Sequence, residues 1–370
     1  MTRRTALAAS ISAAFAQGSK TNSAVTVGVL GNGNRGTYVA EMLAKNTPGR
    51  VVALCDLFPE KMEAAKKRIG VDNPRLYADF RKMLESDIDA IIIATPVFLH
   101  AEHFEAAVKS GKHIYIEKPA AGTVADCKKI MQLADRSDRK ININFGFQRR
   151  YAELYLKAKA VADSGDIGSI QMGFARFIKS EGAWNEERRL PPPSTEMGKI
   201  VGWYAWKDLN GDLIVENNVH SIDVLNWFLG GRPKSAIGAG GSTKARQGDT
   251  SDHNFVAYEY ANGVQGQLLG ATLAPARYRD VVEQFFGTKG MLETSENHWR
   301  HFRGPGNETF EKSPRNNTID SVKAFVDRIS TGKVENTGVR GAESTLTAIL
   351  GRMAMQARRE VTWDEMMKSA

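Results

Sequence analysis

Between Ala24 and Phe147, short apolar runs alternate with longer amphipathic stretches. Ala24–Leu30, Val51–Cys55, Ile88–Ala94, His113–Ile116 and Ile141–Phe147 are β-branched or otherwise apolar, as strands buried on both faces require. Helical periodicity separates them: from Gly36 to about Lys45, over Pro59–Ile69, and at about Ala101–Lys109 and Val124–Ala134. Such alternation predicts an α/β unit with a parallel sheet and right-handed crossovers. Beyond residue 147 the regular alternation stops. Gln171–Phe177, Ala236–Gly240, Phe255–Tyr260 and Gln265–Leu269 read as strands, with turns such as Ala261-Asn262-Gly263, and about Gly341–Arg358 reads as a helix. The 370 residues suit two domains. The expected division is a leader at 1–20, a Rossmann domain at 24–146, a second α+β domain at 147–340 and a C-terminal helical segment at 341–370.

The first predicted strand runs into Gly31-Asn32-Gly33-Asn34-Arg35-Gly36, and Asp56 follows twenty residues after Gly36 at the end of the second. A lone G-x-G-x-x-G is weak evidence; one that follows a strand, opens a helix and precedes such an acid is the dinucleotide fingerprint. Gly31 allows the tight turn, Gly33 lets backbone approach a pyrophosphate, and Gly36 allows close helix–strand packing. The helix N-terminus offers free N–H groups and a favourable dipole. Asp56 can accept from both ribose hydroxyls and would repel a 2′-phosphate, which favours NAD over NADP.

Two further motifs stand at strand ends: Ala94-Thr95-Pro96 with His100, and Gly111-Lys112-His113 leading to Glu117-Lys118-Pro119. With the glycine loop, with Gly168-Ser169-Ile170 and with Gly287-Thr288-Lys289-Gly290, the chain resembles the glucose-fructose oxidoreductase, inositol dehydrogenase and rhizopine-catabolism (Gfo/Idh/MocA) family from about Val25 onward. That resemblance implies a second domain with a large, mostly antiparallel open sheet whose outer face forms a homodimer or homotetramer. It adds Thr95, Pro96, His100, Glu117 and Gln148 to the candidate cofactor residues and makes Lys118 the catalytic lysine. It points to His220 as the proton-transferring histidine, in Glu216-Asn217-Asn218-Val219-His220-Ser221-Ile222-Asp223. The family pattern has aspartate at the position of Glu216 and glycine at that of Asn218, so both depart from it. On one continuous helix, Glu216, His220 and Asp223 would share a face, with Glu216 fixing the histidine tautomer or sharing a proton relay. Gln148, Arg149, Arg150 and Tyr151 should lie at the domain junction, with Arg150, Tyr151, Trp203, Trp206 and Asp223 as substrate-binding candidates beside Tyr204. Core packing explains the tryptophans equally well. The tract Arg188–Pro193 reads as an arm or lid.

Composition changes little until the first residues. The net charge of +8 lacks a basic–aromatic stripe or a helix-turn-helix pattern, so no nucleic-acid partner is expected. Two cysteines without ligand spacing predict neither a metal site nor a disulfide framework. Thr2-Arg3-Arg4 before the uncharged stretch Thr5–Ser19 resembles a twin-arginine export signal, with a disordered basic leader as the alternative. Its apolar part is too short to span a bilayer, and no membrane partner is expected. Export predicts a periplasmic protein that keeps its NAD tightly bound; without it the protein would be cytoplasmic. The expected activity is hydride transfer at a ring hydroxyl of a sugar, sugar derivative or cyclitol. Redox-neutral glycosidase, lyase or epimerase chemistry through a transient keto-sugar is the alternative, and a non-catalytic sensor the remaining class.

Overall fold

The computed structural model describes residues 24–180, 194–243, 248–261, 263–313 and 315–369. The leader, the Arg188–Pro193 tract and Asn262 lie outside these residues.

The first domain is a six-stranded sheet in the order β3-β2-β1-β4-β5-β6, every pairing parallel. Its strands are β1 (Thr26–Leu30), β2 (Arg50–Cys55), β3 (Arg75–Tyr77), β4 (Ala90–Ile93), β5 (His113–Ile116) and β6 (Ile143–Phe145). Helices α1 (Asn34–Asn46), α2 (Pro59–Ile69), α3 (Phe80–Leu84), α4 (His100–Ser110) and α5 (Val124–Asp135) connect them. Short β3 and α3 carry too few apolar positions for periodicity to find. Helix α1 starts at Asn34, two residues before the expected Gly36, because Gly33 already holds the N-cap.

After α6 (Glu153–Asp163) come β7 (Ile170–Lys179), α7 (Glu196–Val201), α8 (Lys207–Asn210) and α9 (Leu213–Glu216). With β8 (Pro233–Gly241), β9 (His253–Tyr260), β10 (Gln265–Ala271), β11 (Arg279–Gly287), β12 (Met291–Ser295), β13 (His298–Phe302), β14 (Glu308–Lys312) and β15 (Val361–Thr362), β7 forms a nine-stranded sheet ordered β14-β13-β12-β11-β7-β10-β9-β8-β15. Only β7–β10 is parallel. Buried residues of α10 (Val219–Leu229), such as Ile222, Leu225 and Leu229, pack against one face. The other face leaves Met172, Ile237 and Phe255 exposed.

The expected domain limits need one correction. Helix α11 (Asn317–Thr331), placed by the sequence in the second domain, returns to the first. Its Val322, Phe325 and Val326 are fully buried in one cluster with Val27, Val29 and Ile92. The Ser321 hydroxyl bonds Tyr115 at 3.2 Å. An amphipathic helix must cover some apolar face, and periodicity alone does not say which. Helix α12 (Gly338–Ala357) packs as expected near the first domain, Thr345 Oγ1 accepting from Ala120 N at 2.9 Å.

Candidate active site

The glycine loop joins β1 to α1 at the C-terminal edge of the parallel sheet, where open α/β folds bind ligands. Gly31 has φ +88°, and a Cβ there would stand 2.6 Å from the Ala94 carbonyl oxygen. A Cβ on Gly36 would stand 1.9 Å from Gly31 O. Gly33 differs: its backbone is extended (φ −73°, ψ −170°), and a Cβ would meet nothing within 4 Å. The first helical bond runs from Thr37 N to Gly33 O at 3.0 Å, so the amides of Asn34, Arg35 and Gly36 precede the α1 ladder. No side chain caps that end.

Asp56 accepts Asn32 N at Oδ2 (2.7 Å) and Phe58 N at Oδ1 (3.1 Å), which fixes its carboxylate and leaves lone pairs on both oxygens. The buried Asn32 side chain donates to Cys55 O at 2.7 Å, so it ties the loop to β2. The open space above Gly33, the uncapped helix end and the fixed Asp56 fit the pyrophosphate and ribose of a dinucleotide.

Arg35 carries the loop toward the chemistry. It pairs with buried Glu117 at 2.8 Å and donates to Gln148 at 2.6 Å. Glu117 Oε2 is buried without a partner, and a Cβ on Gly146 would stand 2.8 Å from it. Among the expected cofactor residues, His100 is placed as a buried clamp. It is 1% exposed, and its ring nitrogens sit 2.8 Å from Pro119 O and 2.9 Å from Thr95 O, bracing the Glu117-Lys118-Pro119 turn against the Ala94-Thr95-Pro96 turn. The Thr95 hydroxyl bonds His103 at 2.9 Å.

Lys118 Nζ donates to Glu216 O at 2.7 Å and to Glu216 Oε2 at 3.2 Å. The expected single helix is broken: α9 (Leu213–Glu216) ends before Asn217 and Asn218, and α10 starts at Val219. Burial pushes the Glu216 carboxyl above its usual range, with Lys118 opposing. His220 lies edge-on to Phe147, its Nδ1 buried without a partner. Burial, then the charge of Lys118, holds its pKa well below the ordinary value, so the ring is neutral near pH 7. A neutral imidazole can take a proton; a lysine ammonium beside it can hold a hydroxyl oxygen.

The five substrate candidates all have partners within the chain. Asp223 forms a bidentate pair with Arg150 (both contacts 2.9 Å) and accepts from Ser344 at 2.7 Å, so the two residues staple α10 to α12 and the domain junction. Tyr151 donates to Glu335 at 3.0 Å. Trp203 lies edge-on to Tyr204, and Lys199 sits over the Trp206 ring. Asn218 is fully buried, accepts from Asn254 at 2.7 Å and occupies the space above Gly270.

Two arrangements were not legible in the sequence. Lys179, the last residue of β7, donates to Asn217 Oδ1, while Asn217 Nδ2 donates to the Tyr204 hydroxyl at 2.5 Å. Behind His220, Arg149 meets fully buried Glu283 at 2.5 Å, and Ser221, Tyr155 and Thr294 also donate to that carboxylate. The only signal for the first was a charged residue ending an alternating strand; for the second, a glutamate within the apolar run of β11 (Arg279–Gly287).

Residues 25–145 match the family model described as "Oxidoreductase family, NAD-binding Rossmann fold", and residues 155–293 match "GFO/IDH/MocA C-terminal domain". Inositol 2-dehydrogenase of Salmonella typhimurium is 28% identical over 204 residues, 55% of this chain and 54% of that enzyme. The match thus spans about half the length of that relative. Myo-inositol 2-dehydrogenase of Thermotoga maritima is 22% identical over 92% of this chain and 99% of its own. Among solved structures, levoglucosan dehydrogenase in complex with NADH and levoglucosan aligns at TM-score 0.77 and 20% identity, covering 92% of this chain and 99% of that one. Scyllo-inositol dehydrogenase from Lactobacillus casei aligns at TM-score 0.74 and 22% identity, with 93% and 99% covered. These two likenesses concern the fold.

Proposed function

The chain belongs to the Gfo/Idh/MocA oxidoreductase family, and from that premise we propose that it is an NAD-dependent dehydrogenase of a sugar, sugar derivative or cyclitol. The observation that carries the reading is Lys118, held on Glu216 beside a neutral His220 and joined through Glu117 and Arg35 to the glycine cradle. NAD, when bound, supplies the hydride acceptor. Gly33 and the α1 amides would hold its pyrophosphate and Asp56 its ribose. Lys118 would donate to the substrate hydroxyl oxygen, and His220 would take the hydroxyl proton. Glu216 holds Lys118 in place, and Phe147 packs edge-on against the His220 ring. His100 and Asp223 support this site without touching the reactants. Relatives named as inositol and scyllo-inositol dehydrogenases favour this reading over a redox-neutral one.

The same proposal includes export by the twin-arginine route to the periplasm, with retained NAD. Homo-oligomerisation would use the sheet face that exposes Met172, Ile237 and Phe255. A cyclitol and pyranose panel with NAD, read by NADH absorbance and product mass, tests the activity. Loss of two hydrogens from the substrate is expected, with turnover falling ~10²–10⁴-fold in Lys118→Met. Release of an aglycone without net NADH would replace the reading with the redox-neutral one.

A further inference from the structure

The cleft holds a chain of charges that does not close. Arg35 pairs with Glu117 at 2.8 Å, and Lys118 with Glu216 at 3.2 Å. Arg279 pairs with Glu296 at 2.7 Å, and Arg149 with Glu283 at 2.5 Å. Lys179 stands in register beside Arg279 across β7–β11, and its Nζ rests on Asn217, the neighbour of Glu216. Among the described residues it is the one cation of these five with no carboxylate, against the four carboxylates just named. Asn217 is a neutral amide, already engaged with Tyr204.

A half-buried ammonium without a counter-charge is costly unless something else supplies the charge. Consistent with this, burial first and then Lys118 and Arg279 lower the Lys179 pKa to about 8, more than the nearby carboxylates Glu216 and Glu296 raise it. No described carboxylate lies within ion-pair distance of Lys179, whose partner Asn217 directly follows the Glu216 that holds Lys118. The Lys179 ammonium therefore stands at the same Glu216–Asn217 turn as the Lys118 ammonium.

We propose that the substrate carries a carboxylate, as a sugar acid or uronate does, and that Lys179 receives it. This rests on the dehydrogenase reading above and names its substrate class. One uncompensated positive charge matches a monoanionic carboxylate better than a dianionic phosphomonoester. Lys179 on its strand fixes the acid end, while Lys118 and His220 meet a ring hydroxyl.

The test measures equilibrium binding to NAD-loaded protein, independent of turnover, for gluco-, galacto- and manno-configured uronic acids, their neutral parent hexoses and hexose 6-phosphates. Wild-type protein is expected to favour at least one uronate over its parent by roughly tenfold or more. Lys179→Gln should erase that ratio, and Lys179→Arg should restore most of it. In turnover the Lys179→Gln effect should fall on KM for the acid rather than on kcat. Equal binding of every uronate and its parent by the wild type would overturn the proposal, as would a preference for the phosphate esters. So would a Lys179→Gln ratio equal to that of the wild type, which would leave Lys179 a support for Asn217. Uronate preference without NADH formation on any substrate would instead defeat the dehydrogenase reading and leave the anion site standing.

Discussion

Gly33 is a glycine that the folded chain does not itself require. Its φ of −73° is open to any residue, and a Cβ there meets no protein atom within 4 Å. Gly31 is held by its φ of +88°, and Gly36 by a would-be Cβ contact of 1.9 Å with Gly31 O. If the cradle binds pyrophosphate, the glycines must fail differently. Serine is a better N-cap than glycine, so Gly33→Ser should leave stability unchanged or raise it by a few tenths of a kcal/mol. The same side chain enters the space above the first α1 amides. Losing two charge-assisted amide–phosphate bonds at about 1.5–3 kcal/mol each removes about 3–6 kcal/mol of binding, at least a hundredfold in Kd. Gly36→Ala instead forces Gly31 or α1 to move, an overpacking cost of about 1–3 kcal/mol, and lowers the NAD-free unfolding midpoint as well. Calorimetric NAD titration and urea unfolding without NAD separate the two outcomes. Unchanged NAD affinity in Gly33→Ser would refute the reasoning, as would a stability loss equal to that of Gly36→Ala.

Three further outcomes are expected. Burial holds His103 down to about 4, below its ordinary 6.5, so the unfolded chain takes up the proton first. The stability it confers is complete above pH 6.5 and is lost as pH falls toward 4, about 3 kcal/mol in all. His103→Asn should flatten the urea midpoint against pH in that window; an unchanged slope would count against it. Glu283→Gln leaves the buried Arg149 guanidinium with Glu296 alone, 3.6 Å away, and should cost about 3–5 kcal/mol in urea unfolding. A loss below about 1 kcal/mol would mean that the network relaxes. Asp56→Ser should weaken NAD binding and narrow its advantage over NADP, measured by parallel titrations; unchanged ratios would remove Asp56 from the ribose site.

What the sequence made legible was local. A buried parallel strand, a tight glycine turn and the helix it opens are each specified within about twenty residues, so β1, the cradle and Asp56 could be read directly. Facts that depend on distant partners could not. Helix α11 has an ordinary apolar stripe, and nothing in it says that Phe325 belongs beside Tyr115 in the first domain. Asp223 stands three residues from His220 in sequence, yet its partner is Arg150, contributed by the segment after β6. Spacing brings residues to one helix face only while the helix continues, and Asn217 and Asn218 interrupt it.

The two departures from the family pattern consequently have different weight. Asn218 turns its side chain into the second sheet: it bonds Asn254 and stands where a Cβ on Gly270 would come within 2.3 Å of its oxygen. Its bulk is absorbed by a glycine on the neighbouring strand, so it takes no room from the cleft. Glu216 faces the cleft, and its longer side chain reaches Lys118 at 3.2 Å. The shorter bond to that lysine, 2.7 Å, is made by the Glu216 backbone carbonyl, which does not depend on side-chain length. Lys118 is therefore positioned by the chain path through α9, while the carboxylate sets the local charge. With Lys118 paired in this way, Lys179 is the neighbouring cation that no described carboxylate meets at ion-pair distance, bonded one residue along at Asn217. The glutamate at residue 216 thus leaves the position of Lys118 to the backbone, and the charge beside it to the carboxylate.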